Sequence, residues 1–185
     1  MRKITPLDIE YAEELGYRIK LLGSARLTEH GLEQRVHPCM VEIGTPIAHV
    51  EGVTNAVVAS GNFVGDTVYQ GPGAGGGPTA SAVVADLIDI ARGRFAPAFG
   101  LAEGERRPLP AAPMERHRGA YYVRLMVRDR PGVMADVTAC FRDEKVSIES
   151  MLQRARGGAA SVPVVMTTHE CQEAAMRRAL TAIGR

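Results

Sequence analysis

The sequence predicts an α+β fold in two parts: a partial antiparallel-sheet domain, then a βαββα domain that stops before a last strand. Three observations lead there. The first half holds two pairs of strand-like runs followed by a glycine-led helix. The second half alternates strand, helix, strand, strand, helix. Between them the composition shifts to proline, alanine, glycine and charge. The expected divisions are 1–94, a linker over 95–119, and 120–185.

Thr5-Pro6-Leu7-Asp8 reads as a helix start, with Thr5 as cap, Pro6 in the first position and an acid in the first turn. The helix should run to about Leu15 and end at Gly16. Glu10, Glu13 and Glu14 then read as a solvated face rather than a catalytic set. Residues 17–27 look extended, 28–31 form a turn, and 32–42 return as a strand. Pro38 puts a break or an edge in that strand. Residues 45–52 connect, with a helical turn after Pro46. Residues 53–60 and 63–70 form a hairpin around Gly61-Asn62.

The stretch GPGAGGGPTASAVVADLIDIAR, Gly71 to Arg92, is the most distinctive. Five glycines in seven residues run into a helix. Thr79 can cap it, and Ala80, Val83, Val84, Leu87 and Ala91 form its apolar stripe. Backbone N–H groups left unpaired at such a turn favour a phosphate or a close ligand. Gly71, Gly73 and Gly76 also satisfy G-x-G-x-x-G, but no strand with a terminal acid follows the helix, so the dinucleotide fingerprint is incomplete. A turn that lets the helix pack closely on a sheet explains the glycines equally well.

In the second half, Val123, Leu125 and Val127 share one face of a strand at 121–127. Pro131-Gly132 turns the chain into a helix ending near Glu144, with a core stripe of Val133, Met134, Val137, Cys140 and Phe141. A strand at 146–156 changes parity, so a bulge is expected. Gly157-Gly158 should turn a hairpin, and 159–168 should return with Pro163 at an edge or bulge. Thr167 and Glu170 have capping-box spacing before the last helix. A split β-α-β sheet of the ferredoxin-like kind expects one more strand. Both ends therefore read as incomplete.

Composition excludes several functions. A net charge of +1 and no tryptophan give no case for nucleic acid or an anionic membrane surface. No apolar run reaches the ~20 residues of a membrane span. Cys39, Cys140 and Cys171 are far apart and form no C-x-x-C, which points to a reducing cytoplasm. His37 and Cys39 lack further ligands, so no metal is expected. His37 and His49 read as structural or exposed.

Two stretches resemble known families. Strand, D-R-P-G-V, helix, strand, strand, helix over Tyr121–Ile183 resembles the ACT domain, a regulatory module that binds amino acids. The resemblance makes Asp129, Arg130, Pro131, Gly132 and Val133 the candidate effector residues, at an interface between two copies. Some ACT domains bind nothing, and a plain Pro-Gly turn is the alternative. Residues 2–94, with TPLDIEYAEELGYRIKLLG and the glycine-rich run, resemble the later half of the homoserine dehydrogenase catalytic domain. That family interconverts L-homoserine and L-aspartate 4-semialdehyde with NAD or NADP, in threonine and methionine synthesis. The resemblance implies that Gly73, Ala74 and Gly75 approach the cofactor, as the far wall of a cleft.

It also implies what the chain lacks. The family's Rossmann domain and its catalytic lysine and substrate-binding carboxylates correspond to a region before Met1. No catalytic residue is therefore assigned here, and a fragment inactive alone is expected. Homo-oligomers with L-threonine as effector are implied as well. The alternative is a stand-alone amino-acid-binding module, or a purely structural sheet that pairs with a second copy.

Overall fold

The computed structural model describes residues 4–95, 100–154 and 161–184. The expected Gly157-Gly158 turn lies outside them.

Helix α1 spans Pro6–Glu14, with extended Thr5 as its cap. Gly16 follows it at φ +82°, a backbone that glycine adopts without strain. Strands β1 (Tyr17–Thr28) and β2 (Gly31–Glu42) then form one antiparallel ladder from Tyr17↔Glu42 to Thr28↔Gly31. Pro38 sits opposite Leu21 without breaking it. Among the described residues the sheet has these two strands, and Pro38 lies on an edge, where proline is tolerated. A 3-10 turn at Pro46–His49 leads onward, as expected.

Strands β3 (Thr54–Gly61) and β4 (Gly65–Pro72) form the second hairpin. Its turn differs from the Gly61-Asn62 expectation. The loop is Asn62-Phe63-Val64, closed by Gly65 at φ +72°. A three-residue hairpin loop needs a left-handed residue at its end, and Gly65 supplies it. The partner strand therefore starts two residues late.

Helix α2 spans Gly76–Ala91, with Gly75 as its cap. It starts ahead of the expected Thr79 cap, because Pro78 in a first turn has no N–H to lose. None of its residues is buried. Val83, Val84, Leu87, Ile88 and Ile90 are all exposed. The first half is thus two separate two-stranded sheets, and α2 does not bury its stripe on either among the described residues.

The linker lies along the start of β2. Leu32 N–H donates to the Pro110 carbonyl (2.8 Å), and Ala112 N–H donates to the Leu32 carbonyl (3.0 Å). A Cβ on Gly31 (φ +118°) would overlap the Pro110 carbonyl oxygen, so glycine is required there.

Beyond the linker, β5 (Arg118–Gly119) and β6 (Tyr122–Arg128) lead to α3 (Val133–Asp143) and β7 (Ile148–Gln153). Then come β8 (Ser161–Thr168), β9 (Cys171–Gln172) and α4 (Glu173–Ile183). The sheet runs β6-β8-β7, all antiparallel, and β5 pairs with β9. Val123, Val164 and Met166 pack against Val137 and Phe141 of α3 and Met176 and Ala179 of α4. The expected parity change is a register shift between Ile148 and Ser150. Pro163 lies in the middle strand opposite Met126, but outside the described ladder with β7, which begins at Gln153↔Val164. The Thr167–Glu170 spacing is not a cap. Thr167 stays in β8 and donates to Glu149 (3.2 Å), and α4 begins after Gln172.

Phe141 is fully buried at the centre of this core. Phe141→Ala should cost about 3–5 kcal/mol, read as a lower midpoint in urea unfolding with little change in slope.

Candidate functional site

The glycine-rich loop joins β4 to α2. Gly73 N–H donates to the Val53 carbonyl (3.0 Å). A Cβ on Gly73 would overlap the Asn55 side-chain amide. Gly75 has φ +124°, and Thr79 N–H donates to its carbonyl (3.1 Å). Gly73, Ala74 and Gly75 are exposed, and Cβ atoms on Gly76 or Gly77 would meet open space. The loop offers bare backbone at a helix start, which suits a phosphate-bearing ligand.

Asp129, Arg130, Pro131, Gly132 and Val133 form the turn between β6 and α3. Gly132 is left-handed (φ +92°) and caps the helix. Asp136 N–H donates to the Gly132 carbonyl, and Arg130 N–H to the Arg128 carbonyl (3.0 Å each). The first four residues are exposed. Among the described residues, no hydrogen bond or ion pair joins this turn to the glycine loop.

Two buried polar clusters tie the halves together. Asp8, 4% exposed, accepts bonds at one oxygen from the Thr5 N–H and hydroxyl (2.7 Å each). Its other oxygen accepts from the Tyr122 hydroxyl (2.8 Å) and Arg124 Nε (2.6 Å). Burial opposes its charge, but the bonds from Thr5, Arg124 and Tyr122 outweigh that and lower its pKa to about 2. Glu33 and His117 form the second cluster. His117 Nδ1 lies 3.0 Å from Glu33 Oε1, and Arg35 Nε lies 3.2 Å from the same oxygen. Burial again opposes the Glu33 charge. The His117 bond, with the Arg35 and Arg26 charges, still holds its carboxyl below the usual range. His117 also stacks edge-on with Tyr121 (6.4 Å), whose hydroxyl donates to Glu173 (2.8 Å).

Sequence reasoning missed both clusters. Asp8 was legible as a helix-start acid, but its partners are more than a hundred residues away. Glu10 and Glu14, expected on a solvated face, both pair with Arg154. Cys39 Sγ lies 3.6 Å from His37 Nδ1. Among the described residues no three His, Cys, Asp or Glu side chains gather as a metal site. No helix of the described residues is long and apolar enough to cross a membrane.

An all-antiparallel βαββα domain joined to a strand-rich segment with a glycine-led helix places the chain among α+β proteins with an ACT-like module. The homoserine dehydrogenase family profile matches residues 1–88, and the ACT domain profile matches 121–185. Homoserine dehydrogenases of Neisseria gonorrhoeae and Pseudomonas aeruginosa are each 41% identical over 98% of this chain. The chain spans 43% of the length of each. A solved homoserine dehydrogenase from Thiobacillus denitrificans is similar with a TM-score of 0.84 and 43% identity, covering 99% of this chain and 42% of that one. One from Staphylococcus aureus gives 0.62 and 26%, over 92% and 40%. The chain belongs to the homoserine dehydrogenase family and carries its ACT regulatory domain.

The Asp8 shift has a signed consequence. A lowered folded-state pKa stabilises above the unfolded value of 3.8 and is lost as pH falls towards about 2. The carboxylate should contribute on the order of 2 kcal/mol near neutrality. Asp8→Asn should therefore be less stable than the native chain at pH 6, and the gap should close by pH 2, as read from urea midpoints.

Proposed function

We propose that these residues serve an NAD(P)-dependent homoserine dehydrogenase that interconverts L-homoserine and L-aspartate 4-semialdehyde for threonine and methionine synthesis. L-Threonine is its effector, bound at the Asp129–Val133 turn. The observation that carries the cofactor part is Gly76-Gly77. Neither has a positive φ and neither abuts a neighbour. Glycine is a poorer helix former than alanine and the described residues give it no steric reason, so close approach by a ligand is the reason to keep it.

In this reading Gly73, Ala74 and Gly75 line the far wall of the cofactor cleft, held there by β4 and α2. The bound nicotinamide supplies the hydride acceptor or donor. This chain's own part is to present bare backbone and exclude water. The proton-transfer group belongs to the remainder of a full-length dehydrogenase. The three free thiols support a reducing, cytoplasmic setting.

The 185 residues alone should not reduce NADP with homoserine, and a full-length dehydrogenase containing them should. In the latter, Gly76→Val should raise the KM for NADP roughly tenfold or more with little change for homoserine, since one factor of ten is about 1.4 kcal/mol. Turnover by the short chain, or an unchanged NADP KM, would contradict this reading.

The exposed stripe of α2 and the exposed Val57, Val58 and Val68 of β3–β4 support a homo-oligomer. Sedimentation equilibrium should find a species above 19.9 kDa, and Leu87→Glu should shift it towards monomer.

A further inference from the structure

Helix α1 is held between two parts of the molecule. On one flank Asp8 bonds to Tyr122 and Arg124 of β6, and Glu10 and Glu14 pair with Arg154 just past β7. The Arg154 guanidinium lies 4.5 Å from the centre of the fully buried Tyr11 ring. The ACT sheet face away from α3 and α4 is therefore covered around Tyr122, Arg124 and Val165, while Met126 further along β6 stays exposed. Val165, which alternation places on that face, is wholly buried.

The opposite flank of α1 carries Ile9 and Glu13. With Tyr17, Ile19, Lys20 and Glu51 they line a cleft of about 460 Å³. One side of the helix answers to the ACT sheet, and the other lines an open surface cleft in the first segment.

We propose that Asp8 is a positioning residue: through Tyr122 and Arg124 the ACT sheet fixes α1, and α1 sets one wall of the cleft. Arg124 lies four residues before Arg128, ~13 Å along an extended strand. There β6 enters the Asp129–Val133 turn. A ligand that shifts β6 shifts Asp8 with it; this regulatory part rests on the effector reading above.

Hydrogen exchange, read by mass spectrometry on the 185-residue chain, tests it. In Arg124→Leu, amides of residues 7–14 should exchange roughly tenfold faster while α3 and α4 keep their protection. Tyr122→Phe removes one hydroxyl and should give a smaller rise in the same segment. If Arg124→Leu loosens α3 and α4 as well, Tyr122→Phe decides. Unchanged α1 exchange in both variants overturns the proposal. L-Threonine should slow α1 exchange in the native chain and not in Arg124→Leu. If it raises the native melting temperature but leaves α1 untouched, the regulatory part falls. If it has no effect on melting, the effector reading falls, and the variants still decide the positioning role.

Discussion

A buried carboxylate that must be fully bonded organises the junction of this chain. Removing an isolated carboxylate from water costs several kcal/mol. Asp8 meets that cost with five donated bonds, two from Thr5, one from Tyr122 and two from Arg124. Two of these donors belong to its own helix cap, and the other three belong to the ACT sheet. The same oxygens therefore start α1 and dock it. Displacing β6 removes three of the five bonds, which costs more than an exposed ion pair would return. Glu33 and His117 repeat the arrangement between β2 and the linker, with Arg35 as a third member.

The two halves are stabilised differently. The ACT part owns a contiguous core of valines, Phe141 and Met176 between its sheet and two helices. The first part buries Tyr11, Ala12 and Ala48, with Val41 close behind, and leaves β3, β4 and α2 exposed. Its order at the ACT junction rests on the polar contacts of α1 and on the linker strapped along β2. That contrast makes α1 the element through which the well-packed half can act on the other.

Local chemistry was legible in the sequence. Thr5-Pro6, the Pro46 turn, the Val123-Leu125-Val127 alternation and the irregular parity after Ile148 all act within a few residues, and all appear where the pattern placed them. The hairpin near Gly61 was misplaced because two glycines, Gly61 and Gly65, could each serve the turn. Only the pairing of Val57 with Tyr69 decides between them. The Thr167 cap failed because a strand's claim on that residue, through Tyr122 across the ladder, outweighed a local spacing. The distant partners of Asp8 and Glu33 could not be read. They are set by how β6 and the linker fold back, and no periodicity encodes that.

The glycines separate structural need from functional opportunity. Gly31 and Gly73 each face an atom that a methyl group would overlap, Pro110 for one and Asn55 for the other. Gly75 and Gly132 take positive φ values at helix starts, and those angles account for them. Gly76 and Gly77 have neither reason. They weaken the first turn of α2 without relieving a clash or a strained angle. A folded chain keeps such residues where something outside its own packing must come close. The part of the glycine run that the fold does not explain is thus the part that most directly supports a cofactor, and it follows directly on the Gly73–Gly75 stretch that the family resemblance pointed to.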